Sequence, residues 1–347
     1  MNYKIKFGIV GLGRLGRIHA QNIATNIPGS ELVAACSILP EELDNAKEQW
    51  GVTETYSSYE EMVASPNIDA VAIVSPSGFH LEHIELALKA GLHVFCEKPI
   101  GLDVAKIKET MKVIESHPKQ VFFLGFTRRF DESYQYAKEM VRSGELGEIT
   151  VIRCYGIDPS SEIEGFLKFA TASDSGGIFA DMSIHDIDLV RWFTGSEVKR
   201  VWALGNNIAY PQLDAVGELE TGVAMLEMKN KVIALLVAGR NAAHGYQVET
   251  EIIGTKGTLS LAHHPEKNLV TLFNQHGIVR PTSQNFPERF REAFINEMKE
   301  FINCINEKRQ PEVSANDGLQ STMVANACKL SWESGKLIIL DEDVLES

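Results

Sequence analysis

A chain of 347 residues is too long for one compact core and fits two domains. Its 44% hydrophobic and 23% charged residues are an ordinary globular balance, and a formal net charge of −14 argues against nucleic acid or an anionic membrane as main partner, since both need basic patches. No apolar run approaches the roughly 20 residues of a membrane span, and five cysteines at 36, 96, 154, 304 and 328, with no CxxC spacing, argue against a disulfide framework or thiolate zinc site and for a reducing cytoplasm.

The opening MNYKIKFGIVGLG has no long apolar leader with a small-residue cleavage site, and residues 4–10 read as a first strand. The strand runs into Gly11-Leu12-Gly13-Arg14-Leu15-Gly16. A helical pattern with Ile18, Ile23 and Ile27 apolar follows and stops at Pro28-Gly29. Then come a strand at 31–37, a helix around 40–50, and the continuous apolar run AVAIVSP at 70–76, of the kind buried on both faces of a parallel sheet. A helix at 79–90 ends at Gly91, strand 92–96 follows, and a helix near 103–116 leads to a strand at 121–126. Strand–helix alternation with short turns predicts an N-terminal Rossmann fold, a doubly wound parallel sheet, over 1–124.

The glycine pattern GxGxxG follows a strand and opens a helix, the context that makes it a dinucleotide site. Gly11 permits the tight turn, Gly13 lets the backbone approach a pyrophosphate, and Gly16 lets helix pack on strand. An acidic residue about 20 residues further on would hold the ribose of NAD. Ser37 stands there instead. Serine does not repel a 2′-phosphate, and Arg14 could supply a cation, so the residues leave NAD and NADP equally open.

Strand 92–96 ends in Glu97-Lys98-Pro99, residues that strands disfavour. Ligands of open parallel sheets bind beyond the carboxyl ends of the strands, where Lys98 lies, and the following proline restricts it to extended conformations. A solvated lysine paired with Glu97 is the plainer reading. In SGGIFADMSIHDIDLVRWFTG, 175–195, the apolar spacing predicts one helix ended by Gly195. Asp181 and His185, four apart, share a face. The helix dipole favours the Asp181 carboxylate, and a histidine accepts a proton near neutral pH. A packed histidine satisfied by Asp181 accounts for the same pattern equally well. Two ligands on that face do not make a metal site. Asp186 and Asp188 point elsewhere and read as solvated or capping charges.

Beyond about residue 125, ITVIRCYGI, VKRVWALGNNI, TGVAMLEMKNKVIALLVAG and QVETEIIGTKGTLSLA alternate like strands joined by short polar turns, which predicts a largely antiparallel open sheet in a C-terminal α+β domain over 125–347. The late amphipathic helices 290–307 and 318–335 read as core and scaffold, and can pack back on the first domain.

GLGRLGRIHA, AIVSPSGFHLEHIELALKAGLHVFCEKPIG and GG(x)3DMSIHDIDLVRWFTG together resemble the glucose–fructose oxidoreductase, inositol dehydrogenase and rhizopine-catabolism family, over nearly the whole chain. The combination of EKP with DxxxHD is specific to it. FLGFTRRFDESYQYAKEMVRSGELGEI, 123–149, resembles the inositol 2-dehydrogenases most.

The resemblance implies an NAD(P)-dependent dehydrogenase acting on CH–OH. Its implied substrate is a cyclic polyol, myo-inositol going to a keto-inositol, with another sugar, an aldose or a sugar derivative as the alternative. A non-catalytic nucleotide-sensing regulator is a further alternative that Lys98, Asp181 and His185 together argue against.

By resemblance Lys98 is the catalytic lysine, Asp181 orients substrate, and His185 is the general acid/base. Arg128, Asp158 and Tyr246 match substrate positions. Cofactor contacts fall at Gly11, Gly13, Arg14, Leu15, Gly16, Ser37, Ser75, His80, Glu97 and Lys98. The Lys98–Pro99 bond is implied to be cis, and the chain to be a homo-oligomer, dimer or tetramer, joined through the C-terminal sheet. Tyr155-Gly156 replaces a pair that contains histidine in some inositol enzymes, and Ser37 replaces the usual aspartate.

Overall fold

The computed structural model describes residues 3–172, 175–275 and 277–340. They fall into two units: Met1–Phe130 with Glu292–Leu319, and Asp131–Arg291 with Gln320–Ser347.

In the first unit the chain alternates β1 (Ile5–Val10), α1 (Arg14–Gln21), β2 (Ser30–Cys36), α2 (Pro40–Trp50), β3 (Glu54–Tyr56), α3 (Tyr59–Val63), β4 (Ala70–Ile73), α4 (His80–Lys89), β5 (His93–Glu97), α5 (Val104–Ser116) and β6 (Phe122–Gly125). All strand pairs are parallel, in the order β3-β2-β1-β4-β5-β6. The order reverses between β1 and β4, so the crevice of a doubly wound sheet opens there, beyond the carboxyl ends of the strands. The short edge strand β3 has no apolar run of its own, and its position follows from pairing with β2.

β1, β4 and β5 are buried almost throughout, as strands covered on both faces must be. One covering layer comes from the end of the chain. Phe301 lies about as close to Phe7 (6.0 Å) as to Phe95 (6.0 Å) and Phe123 (5.8 Å), so one ring spans residues of three strands.

The second unit contains α6 (Glu132–Arg142), β7 (Ile149–Pro159), α7 (Ile163–Ala172), α8 (Ile184–Thr194), β8 (Val198–Asn206), β9 (Thr221–Met228), β10 (Ile233–Ala242), β11 (Gln247–Gly254), β12 (Thr258–Leu261), a hairpin of β13 (Leu272–Asn274) and β14 (Gly277–Val279), and α9 (Phe286–Arg289). α10 (Arg291–Glu307) and the start of α11 (Ala315–Ser334) return to the first unit, and β15 (Ile338–Ile339) closes the second. The sheet order is β12-β11-β7-β10-β9-β8-β15. It is mixed: β7 and β10 run parallel, and every other pair is antiparallel.

One face of this sheet is packed and the other is apolar yet exposed. Trp202 pairs with Met225, which pairs with Leu235; Leu204 pairs with Val223, which pairs with Val237. Trp202, Leu204, Val223 and Met225 are all exposed, as is Ile233 beside them. Two cross-strand apolar rows thus lie open on one surface, larger than the scattered singles normal for a surface.

The glycine turn supplies a test of the packing. A Cβ at Gly16 would stand 2.0 Å from the Gly11 carbonyl oxygen, whereas one at Gly13 meets nothing within 4 Å. Gly16→Ala should therefore lose about 1–3 kcal/mol of stability in urea unfolding, and Gly13→Ala should unfold with the wild type. Equal midpoints for all three would contradict this close approach of α1 to the turn.

Candidate active site

Gly11, at the end of β1, has φ +87°, and a Cβ there would lie 2.4 Å from the Val74 carbonyl oxygen. Only glycine lets β1 turn this close to the chain leaving β4. Gly13 is the N-cap of α1 with no side-chain cap, and open space surrounds its missing Cβ. The helix start is therefore left accessible to a diphosphate, and the cradle fits a dinucleotide. Arg14 is exposed and Leu15 half-buried on the first turn of α1.

Ser37 follows β2 and is buried. Its hydroxyl donates to Glu42 Oε2 at 2.6 Å and accepts the Leu39 N–H at 3.1 Å. After β4, Ser75 Oγ meets His83 Nδ1 at 3.0 Å. His83 also stacks near Phe79, and burial, then His80, pushes its pKa down to about 4, so it is neutral at physiological pH. His80 is fully packed, with Nδ1 2.7 Å from the Pro99 carbonyl and Nε2 2.8 Å from the Ser75 carbonyl. It ties the turn after β4 to the turn after β5. Burial pushes its pKa down, against the two carbonyls, which favour the charged ring.

At the end of β5 the Lys98–Pro99 bond is cis. Glu97 is not a surface residue. Its carboxylate is buried, with Oε1 2.7 Å from His19 Nε2 and Oε2 accepting the Lys98 backbone N–H at 3.2 Å. Lys98 itself is half-buried. Arg128 lies in the short 3-10 turn Thr127–Phe130 after β6 and is buried. The first unit thus gathers its expected residues at the carboxyl ends of β1, β2, β4, β5 and β6.

One neighbour there was invisible in the sequence. Glu297 on α10 is fully buried, and one of its carboxylate oxygens, a ring nitrogen of His19 and a carboxylate oxygen of Glu97 lie within 4.8 Å of one another. Burial first, and then the charge of Glu97, push the Glu297 carboxyl well up, with nearby Thr127 working the other way. It therefore holds its proton where an ordinary carboxyl has lost it. The apolar periodicity of α10 read as scaffold, and the acid was hidden inside it.

In the second unit the expected single helix is two pieces. Phe179–Ser183 is a π turn carrying Asp181, and α8 begins at Ile184, one residue before His185. Such turns insert a residue into a helix and recur at functional sites. The reading of Asp186 and Asp188 as solvated charges is corrected: both are 1% exposed. α8 is buried from Asp186 to Phe193 without a break, so it has no wet face to offer them.

Asp181 is held by Arg240, whose Nη2 donates to Oδ2 at 3.0 Å; Nη1 of the same guanidinium lies 3.6 Å from Asp158 Oδ2. Two expected substrate residues are thus brought onto one buried cation. The register explains how. Gly239 faces Ile157 and Ala242 faces Pro159, so Arg240 and Asn241 together oppose Asp158 in a β-bulge. Asn241 donates to Glu220 at 2.6 Å, while the Arg240 guanidinium lies 3.4 Å over the Phe166 ring. Nearby Glu218 is pushed up by burial, opposed by Ser175 and Arg240. Tyr246 is buried in the turn into β11, its N–H bonded to the Ser283 carbonyl at 2.8 Å and its ring edge-on to Phe290. The missed signal was Arg240 itself, a charge in the apolar strand LLVAGRNA.

Residues 5–126 match a family profile described as an oxidoreductase family with an NAD-binding Rossmann fold, and residues 134–260 match the GFO/IDH/MocA C-terminal domain. The chain is similar to a scyllo-inositol dehydrogenase from Lactobacillus casei solved with bound NAD(H) and scyllo-inositol: 57% identical, TM-score 0.95, covering 97% of this chain and 99% of that one. A myo-inositol 2-dehydrogenase structure from Lactobacillus plantarum is 50% identical, with TM-score 0.96 and coverage of 97% and 100%. The myo-inositol 2-dehydrogenase of Thermotoga maritima is 33% identical over 340 residues, 97% of this chain and 99% of its own.

The proton on Glu297 is testable by linkage. A raised native pKa means the native state binds this proton more tightly than the unfolded chain, so stability from this group falls as pH rises above the ordinary carboxylate range. Glu297→Gln removes that dependence. Its melting temperature should exceed the wild type's at pH 8, and the gap should shrink toward pH 4.5. A gap that is constant or reversed across that range would refute the assignment.

Proposed function

The chain belongs to the GFO/IDH/MocA oxidoreductase family, and from that membership we propose that it oxidises one ring hydroxyl of an inositol to a ketone with NAD. It is an NAD-dependent oxidoreductase acting on CH–OH. The observation that carries the inositol reading is full-length likeness, at 57% identity, to an enzyme solved with NAD(H) and scyllo-inositol. Myo- and scyllo-inositol differ in configuration at one carbon, and removing hydride there gives the same ketone from either. We place scyllo-inositol first, on that likeness, and myo-inositol second, on the names of the other two relatives.

When bound, the nicotinamide ring takes up the hydride. His185 takes the hydroxyl proton as the C–H electron pair leaves and the C=O bond forms. Lys98 hydrogen-bonds the reacting oxygen and stabilises its growing negative charge. Glu97 and the Pro99 turn hold the lysine backbone. Asp181 orients a substrate hydroxyl while Arg240 holds it in place, and Asp158 shares that cation. Arg128 and Tyr246 complete the polyol contacts.

NAD is the cofactor, in preference to NADP. The enzyme works in the cytoplasm in the direction of inositol breakdown. Five buried free cysteines suit a reducing compartment, and no helix among the described residues is long and apolar enough to cross a membrane. A second copy of the chain covers the apolar rows around Trp202 and Met225, as a step toward a homotetramer.

Initial rates of NADH formation with scyllo- and myo-inositol test the activity: turnover with scyllo-inositol at least equal to that with myo-inositol is expected, and no turnover with either would overturn the reading. His185→Ala should lower kcat about 10²–10⁴-fold while NADH still binds; unchanged turnover would remove His185 from the proton step. Trp202→Glu with Met225→Lys should reduce the mass seen by light scattering, and an unchanged assembly would place the interface elsewhere.

A further inference from the structure

NAD enzymes of this fold hold the adenosine ribose with an acid at the end of the second strand, and here that position is Ser37. The carboxylate is not missing from the place, only from the residue. Glu42, two residues into α2, brings its Oε2 to 2.6 Å from Ser37 Oγ. The serine hydroxyl has one proton, which goes to Glu42, and it accepts the Leu39 N–H at 3.1 Å, so the arrangement is fixed from both sides. Glu42 also lies in the first turn of a helix, where the dipole favours a negative charge. We propose that Glu42 binds the ribose hydroxyls of NAD and excludes the 2′-phosphate of NADP, with Ser37 as its positioning residue.

Two further observations support the assignment. Ile38 is 86% exposed and Leu39 46%, apolar side chains held at the surface beside Ser37 where an adenine would cover them. The surroundings are acidic as well. Glu41 neighbours Glu42 on the first turn of α2, and the charges of Glu60 and Glu61 add to burial in pushing the Cys36 thiol up to about 11. A 2′-phosphate would bring close to two more negative charges into that field.

The inference rests on the NAD reading above, and fluorescence titration of NADH and NADPH against wild type, Glu42→Gln and Ser37→Ala separates the two. Wild type should bind NADH more tightly than NADPH. Glu42→Gln should weaken NADH by roughly tenfold or more, the scale of a lost charge-assisted bond, and leave NADPH unchanged or tighter. Ser37→Ala should shift the ratio the same way by less. If wild type prefers NADH and Glu42→Gln keeps the ratio, Glu42 is not the selector and the NAD reading stands. If wild type binds both equally, the NAD preference itself fails and Glu42 with it.

Discussion

A charge taken out of water has to be met by another group, and the arrangement of both units follows from where this chain buries its charges. In the first unit Glu97 is met by His19 and by the backbone N–H of Lys98. A side chain that must be answered inside the core thereby fixes the backbone of the residue that faces outward. In the second unit Arg240 plays the corresponding part, drawing Asp181 and Asp158 onto one guanidinium. One shared buried arginine keeps both in place.

The parallel sheet contributes a different kind of order. Because β1, β2, β4, β5 and β6 all point the same way, every turn at their carboxyl ends falls on one side. Residues as distant in the sequence as Gly11 and Arg128 are thereby collected on that side. His80 stands between two of these turns, its ring nitrogens against the carbonyls of Ser75 and Pro99. The Glu42 carboxylate beside Ser37 likewise comes from the helix that follows β2.

The sequence was most readable where a local rule was being broken. Glycines at 11, 13 and 16, and charge plus proline at the end of β5, contradict ordinary strand chemistry and so announce their positions. The Asp181–His185 spacing was readable too, but its helix was not: a π turn leaves the apolar pattern almost unchanged. What stayed hidden depends on contacts across long separations. Arg240 meets Asp181 across 59 residues, and His19 meets Glu97 across 78. Asp186 and Asp188 looked solvated because a charge usually is, and only the packing of α8 on every side shows otherwise. The parallel pairing of β7 with β10 likewise leaves no mark in alternation, which is the same for either direction.

That pairing carries a consequence through its bulge. Up to Gly156 the inward residues of β7 have even numbers, matched to even numbers on β10; past the bulge Pro159 lies opposite Ala242, and the count on β7 has become odd. The polar end of the sheet is therefore half a period out of step with its hydrophobic middle. Removing one residue at 240–241 would bring the two strands back into phase and disturb the bulge from which Arg240 meets both aspartates. This end of the sheet therefore tolerates an exchanged side chain better than a change of length by one, since a one-residue slip turns every later side chain to the other face. In this part of the molecule the ladder acts as the ruler.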